Sequence, residues 1–359
     1  MGKNVVVIGG GPAGMAAAGK LSELGQEVTL IEKEAELGGH LKKWYKVFPD
    51  FTDASEIIAE LKGGLHGTRV LNNCTVNQIE GSAPNFTVTT STGEKIEAAS
   101  ILVSTGFNPF DASFKEEYGY DIYDNSITSV ELDAMLKQQK VKTALGKTPR
   151  KIAMVHCVGS RDEKVNNNYC SRVCCTNAVK VAIEIKEQIP DCEIYSLYMD
   201  IRVFGRGYEE LYRTSQEKYG VQFIRGRLSE ANEKNDGSLL LRVEDTLTAR
   251  PMRLTVDLLV LMVGMCGNTE LAEIADLKVG CDRFYETAHT QYSNNYSARA
   301  GVFLAGTATG PKAIAESITD GRSAAAEIAG FLATKVGSLS PFESATNGHF
   351  ASQKQVVHQ

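Results

Sequence analysis

"VVVIGGGPAGMAAAGKLSELGQEVTLIE", residues 5–32, sets the fold class. Its first four residues are a short β-branched run, as a strand buried in a parallel sheet requires. Gly9, Gly11 and Gly14 then form G-x-G-x-x-G between that strand and a small-residue apolar helix that Gly25 ends. The first glycine allows the tight turn, the second lets backbone approach a pyrophosphate, and the third lets helix and strand pack closely. A diphosphate then rests on the positive end of the helix. Glu32 closes the next strand, eighteen residues past Gly14, where a carboxylate can accept from ribose hydroxyls. A glycine turn without a ligand is the competing reading, and Glu32 weighs against it.

A second unit of the same kind starts at residue 151. "KIAMVH" (151–156) reads as a strand, "CCTNAVKVAIEIKEQI" (174–189) as a helix and "EIYSLYMD" (193–200) as the strand after it. In the helix Ala178, Ala182, Ile185 and Ile189 predict one buried stripe. Residues 221–265 read as β-hairpins ending in a buried strand, and "GVFLAG" (301–306) precedes a helix expected from Pro311 to about Phe331. The expected class is α/β, a two-dinucleotide-binding-domain protein with a second Rossmann-like domain inserted into the first. The boundaries are a dinucleotide domain in two parts (1–110 and 267–332), a connecting segment (111–147), the inserted domain (148–266) and a flexible tail (333–359).

The bulk numbers narrow the function. The 359 residues carry a formal charge of −6, which argues against nucleic acid as a partner. No apolar run approaches the length needed to cross a bilayer, so no direct membrane insertion is expected. Lys3 is followed at once by a strand, which leaves no signal peptide, so a cytoplasmic location is expected. Eight cysteines in such a chain do not read as a disulfide framework. Four of them, Cys157, Cys170, Cys174 and Cys175, fall within nineteen residues.

Three further segments resemble the flavoproteins with two dinucleotide folds, the family of thioredoxin reductase and dihydrolipoamide dehydrogenase. These are Gly38–Gly39, "STGFNP" (104–109) and "GVFLAGTATGPKAIAESITDGRSAAAEIA" (301–329). The resemblance implies FAD as cofactor, and a last segment that meets the flavin ring. Pro311 suits a first helical turn, whose positive end would face the ring. Lys312 reads either as a charge near the ring or as a solvated lysine, and His40 either as a ring neighbour or as a loop histidine. The implied FAD contacts are Gly9, Gly11, Pro12, Ala13, Gly14, Glu32, Lys33, Gly39, His40, Val76, Thr105, Gly106, Gly306, Thr307, Pro311, Lys312, Ala313 and Ile314. Two departures limit the likeness. After "KIAMVH" stands one glycine where a nicotinamide-nucleotide loop needs three, and no redox-active cysteine pair follows Gly39.

In place of that loop stands C-x12-C-x3-C-C. Four thiolates from a loop and a helix start can hold an iron–sulfur cluster or zinc, and plain buried cysteines are the remaining reading. Cys170 and Cys174, spaced i,i+4, share a face if the turn is helical. "HCVGSRDE", "YCSRVCC" and "YGYDIYDNSITSVELDAML" (118–136) resemble the A subunit of heterodisulfide reductase. That likeness implies one 4Fe–4S cluster on Cys157, Cys170, Cys174 and Cys175. It implies partners among the iron–sulfur and lipoate-binding subunits of a heterodisulfide-reductase-like complex, and a homodimer is expected for the class. The absence of extra cysteine modules makes the chain most similar to the minimal form in the sulfur-oxidising complex. The flavin subunit of a quinone-interacting oxidoreductase is the alternative, and an NAD(P)H-dependent flavin reductase or a zinc-stabilised scaffold the rivals of other classes.

Overall fold

The computed structural model describes residues 4–333. The opening segment folds as β1 (Asn4–Ile8), α1 (Pro12–Glu23) and β2 (Glu27–Ile31), then α2 (Ala54–Gly63) and β3 (Arg69–Leu71). A three-stranded antiparallel sheet of β4 (Val76–Ser82), β5 (Asn85–Thr90) and β6 (Lys95–Ala98) follows, with β7 (Ser100–Val103) and β8 (Phe107–Pro109) after it. The inserted part comprises β9 (Ser126–Thr128), α3 (Ser129–Lys137), β10 (Lys151–Val158), α4 (Cys174–Gln188), β11 (Glu193–Tyr198) and α5 (Tyr208–Glu217). It continues with β12 (Gln222–Glu233), β13 (Leu239–Asp245), β14 (Arg250–Val256), β15 (Leu258–Val263) and β16 (Met265–Gly267). The chain then returns through β17 (Val302–Leu304) to α6 (Ile314–Ala333).

Two sheets carry the architecture. The first, in the order β17-β7-β1-β2-β3, is parallel throughout. Val5, Val6 and Val7 are fully buried in its middle strand, because helices and the small sheet cover both faces. The second runs β14-β13-β12-β11-β10-β15-β9, parallel from β12 to β9 and antiparallel at the β13–β14 edge. The two parts are joined by a ribbon in which β8 pairs antiparallel with β16, Asn108 opposite Cys266. The chain enters the inserted part on one strand of this ribbon and leaves on the other.

Four local differences from the sequence reading have physical causes. Residues 111–147 are more than a connection: β9 pairs with β15, and Leu132 and Leu136 of α3 are fully buried in the second core. The last helix starts at Ile314, not Pro311. The Ala313 carbonyl accepts from the Ser317 amide, and Glu316 reaches back to the Ala313 amide (2.7 Å), so the N-cap is Ala313. Pro311 lies in the loop before it. Helix α4 ends at Gln188, which leaves Ile189 outside it, and its burial is not confined to a stripe, since Lys180 and Glu184 are each 1% exposed. The tail expected over 333–359 lies outside the described residues except for Ala333, the last residue of α6.

Candidate functional site

A cavity of about 590 Å³ opens at the carboxyl end of the first sheet, where open α/β sheets bind ligands. Of the residues expected there, Gly9, Gly11, Pro12, Ala13, Glu32, Lys33, Gly39, His40, Val76, Thr105, Gly106, Thr307, Lys312 and Ile314 line it. Gly14, Gly306, Pro311 and Ala313 do not. Gly14 acts by packing: a Cβ there would stand 1.9 Å from the Gly9 carbonyl oxygen. Gly306 donates its amide to Asp320 Oδ2 (2.8 Å), and the Pro311 carbonyl accepts from Arg172 Nη1 (2.9 Å). Ser104, Phe107, Cys74 and Asn268 also line the cavity; Ser104 and Phe107 belong to "STGFNP", of which only Thr105 and Gly106 were expected as contacts, and Cys74 and Asn268 lie outside any motif.

The three fingerprint glycines differ in why they are glycine. Gly9 has φ +107°, a left-handed backbone that disfavours side chains. Gly14 is forced by close approach. Gly11 has neither reason: its φ of −75° suits any residue, and a Cβ there meets nothing within 4 Å. Within the protein alone this position has no need of glycine. Glu32 is 5% exposed, and its Oε2 accepts from the Gly10 amide (2.7 Å) and its Oε1 from the Glu34 amide (2.8 Å). A carboxylate has about four acceptor positions, so two remain for ribose hydroxyls. Thr105 Oγ1 is buried and makes no hydrogen bond, although the Tyr285 hydroxyl stands near it. A spare cradle beside α1 and an orphaned hydroxyl on the wall fit a bound dinucleotide.

The rim toward the second domain carries Lys312 and His40. Lys312 Nζ donates to the Gly306 carbonyl (2.9 Å) and Thr309 Oγ1 (2.6 Å) and pairs with Asp320 at 3.5 Å. Burial lowers its pKa below the usual lysine value, against the pull of Asp320. His40 Nε2 donates to the Phe107 carbonyl (2.8 Å), which leaves Nδ1 as an acceptor. Burial also lowers its pKa, so the ring is neutral near pH 7. A second cavity of about 360 Å³ continues from this rim. His40, Trp44, Phe107, Met265, Lys312 and Ile314 belong to both cavities, and the far wall of the second is Val173, Cys174 and Asn177.

The cysteine segment starts at the end of β10, the middle one of the five parallel strands of the second sheet. At the end of β10 the pairing with β15 slips between Val155 and Val158, and Cys157 takes a left-handed φ of +59°. Cys174 and Cys175 open α4, whose first turn has no side-chain cap. Cys174 stands between Cys157 and Cys175, and the interaction lowers those two thiols to about 7 and about 4 and raises Cys174 itself. Two buried nitrogens beside them lack partners. His156 Nδ1 is orphaned while its Nε2 is held by Ser196 Oγ at 2.7 Å. Arg161 Nη1 is orphaned while its Nη2 pairs with Asp200 at 2.7 Å.

Cys170 stands apart. Residues 170–173 are not helical, so it shares no face with Cys174, contrary to the expectation from spacing; its Sγ accepts from the Arg172 amide at 3.3 Å. Among the described residues no group of three or more His, Cys, Asp or Glu side chains is placed to hold a metal ion. The fit to a cluster therefore rests on three neighbouring buried thiols, an orphaned arginine N–H and an uncapped helix start, which together suit an anionic group. Arg172 ties this segment to the first domain, because its guanidinium bonds both the Pro311 carbonyl and Glu316 (2.7 Å).

Comparison with known proteins gives the same outline. Residues 3–155 match the family model described as pyridine nucleotide-disulphide oxidoreductase. The chain is similar to the iron–sulfur A subunit of CoB–CoM heterodisulfide reductase from Methanocaldococcus jannaschii, 31% identical over 421 positions that cover 91% of this chain and 64% of that protein. The second of the two corresponding A subunits of Methanopyrus kandleri is 31% identical over 94% of this chain and 66% of its own length. The chain thus spans just under two thirds of these relatives. The 421 aligned positions exceed its 359 residues, so the first relative carries inserted segments within the match. Thioredoxin reductases of T. acidophilum (TM-score 0.65, 17% identity, 91% of this chain and 98% of that one) and Lactococcus lactis (0.66, 16%, 92% and 99%) share the fold.

Proposed function

From homology to the A subunit of heterodisulfide reductase over most of the chain, we propose that this protein is a FAD-binding electron-transfer subunit of a heterodisulfide-reductase-like complex. The observation that carries the reading is Gly11, glycine where the protein itself needs none, in a cavity with an unpaired Thr105 hydroxyl. Cys157, Cys170, Cys174 and Cys175 are the ligands proposed for one 4Fe–4S cluster, and the sulfur-oxidising complex with a lipoate-bound substrate is the proposed setting. When bound, FAD accepts electrons as a pair and releases them singly, and a 4Fe–4S cluster carries one at a time.

The protein's own residues fit that division of work. The α1 start offers free amides and a positive dipole end to a diphosphate. Lys312, fixed by Asp320 and Thr309, holds a cation at the rim of the first cavity. Neutral His40 offers an acceptor nitrogen there. The second cavity brings that rim to Cys174 past apolar side chains such as Val47, Met262 and Ile318. Where a nicotinamide-nucleotide domain would present three glycines after β10, this chain presents Cys157, Val158 and a single Gly159.

Anaerobic purification should yield about one FAD and four irons per chain. The chain alone should show slow or no turnover with NADH, NADPH, reduced lipoamide or disulfides. Steady turnover with any of these at enzyme-like rates, on the order of 1–1000 per second, would overturn the subunit reading in favour of a self-sufficient reductase.

A further inference from the structure

Beside the cysteine segment the surface changes character. The chain as a whole is acidic, at −6, yet the loop "MDIRVFGRG" (199–207) and the adjoining β12 gather arginines. Arg202, Arg206 and Arg225 are exposed, and Arg161 and Arg172 stand half-buried behind them. Two carboxylates face these five guanidiniums: Asp200, 2.7 Å from Arg161 and 3.9 Å from Arg225, and Glu316, taken by Arg172. Glu209 and Glu210 follow the loop, and Glu210 pairs with Arg213 on α5. Arg202 and Arg206, both exposed, take part in no salt bridge among the described residues and leave positive charge at the loop itself.

The loop also presents an aromatic. Phe204 is 62% exposed, although its neighbour Val203 is anchored in the core beneath the second sheet. The Arg172 guanidinium lies over the Phe204 ring at 5.7 Å. An exposed ring backed by arginines is the composition that dominates binding at protein interfaces. The loop is in contact with the thiols as well, since Cys175 Sγ stands 3.6 Å from the Asp200 carbonyl oxygen. A protein docked on Phe204 is therefore brought against the cysteine site.

We propose that this arginine loop with Phe204 at its centre is the docking surface for an acidic redox protein, one whose redox centre is ringed by carboxylates. The proposal rests on the electron-transfer reading above and adds the place of contact and the charge of the partner. Each encounter moves one electron between the carrier and this chain. After two such encounters in the reducing direction, and one proton from water, the flavin is reduced and two carriers are oxidised. Arginines suit the task because their forks bind carboxylates two bonds at a time, and a field of one sign steers a charged partner to the site.

The test uses the full chain, purified anaerobically, with an acidic two-cluster ferredoxin as probe. Titration calorimetry with the oxidised probe measures docking without electron transfer. Binding should be clear at about 50 mM salt and weaken as screening shortens the reach of charge. Arg206→Glu/Arg225→Glu should weaken it at least tenfold, roughly the lower end of steering effects, and Arg206→Gln less, in the same direction. Phe204→Ala should weaken binding at high salt too. All variants should keep wild-type flavin content and photoreduction. Variants that bind like wild type, or no ferredoxin binding by wild type at low salt, would overturn the surface. So would duplex DNA that binds as tightly and competes. Docking by a wild type that proves to hold no iron after anaerobic purification would instead refute the cluster reading and leave the surface standing.

Discussion

Substituting the second and third fingerprint glycines separates a ligand from a fold. At Gly14 a methyl group would sit 1.9 Å from the Gly9 carbonyl oxygen and 2.7 Å from Ser104 Oγ. Carbon and oxygen tolerate little under 3 Å, so the turn and α1 must separate by about 1 Å, and overpacking of this kind costs about 1–3 kcal/mol. Gly14→Ala should therefore lower the melting temperature of the flavin-free protein by several degrees, in proportion to that loss. At Gly11 the same methyl meets nothing, and the φ of −75° is ordinary. Gly11→Ala should shift the apoprotein by less than about 1 kcal/mol, since a less flexible unfolded chain offsets the loss of a favoured N-cap glycine. Its cost appears with ligand, because the added carbon fills space that a pyrophosphate must occupy. A clash of about 1–3 kcal/mol there weakens FAD roughly 5- to 150-fold, and Gly11→Val should be purified without flavin. The assay is scanning calorimetry on apoprotein beside the 450 nm flavin content of the same variants. A stoichiometrically yellow Gly11→Val would refute the assignment of this turn to a phosphate. Gly11→Ala apoprotein destabilised by more than about 1 kcal/mol would show that the position is structural after all.

The remaining expectations concern the cysteines, the rim and the second core. Cys174→Ala should lose most of its iron and keep its FAD, since the fingerprint lies in the other domain; full iron retention by elemental analysis would remove Cys174 from the ligand set. Asp320→Ala should release both the Gly306 amide and Lys312, lowering stability by about 1–3 kcal/mol and loosening FAD, and a melt unchanged from wild type would contradict this. Burial raises the Glu184 carboxyl from 4.5 to about 7. An acid raised in the folded state loses stability as pH climbs from 4.5, where the unfolded chain ionises, toward 7, and no more above it. Glu184→Gln should flatten that slope in urea titrations and stabilise the protein at pH 8 by at most about 3 kcal/mol. A less stable variant would mean that the attraction of Lys180 outweighs burial.

The strand–glycine–helix–strand opening was legible because each of its residues answers to a local rule. Val5 to Val7 are buried on both sides, Gly9 and Gly14 are required by backbone and packing, and Glu32 closes β2 within reach of the glycine turn. The ends of elements were less legible, because a tertiary partner decides them. "GPKAI" looks like a helix start on account of its proline, but Glu316 caps Ala313 and moves the start three residues on. "NSIT" shows no strand pattern over three residues, and only β15 alongside makes it β9.

The least legible part is the interior of α4. Lys180 and Glu184 stand at i,i+4, a spacing that on an exposed face is an ordinary surface ion pair. In the structure both are 1% exposed, with Asp133 of α3 2% exposed beside them. Lys180 Nζ bonds Asp133 (3.1 Å) and the Lys46 carbonyl of the first domain (2.9 Å), and stands 3.2 Å from Glu184. A buried ion cluster of this kind is a poor source of stability, since desolvation offsets most of its attraction. Its geometry has another effect: one ammonium fixes α3, α4 and the 44–52 loop together. Those three elements are walls of the second cavity, through Asp133, Asn177 and Lys46. The Arg172 bonds to Pro311 and Glu316 tie the cysteine segment to the start of α6. Two cations, Lys180 and Arg172, thus tie the inserted part to the first domain, and the proposed passage of electrons between the two sites depends on the distance that they fix.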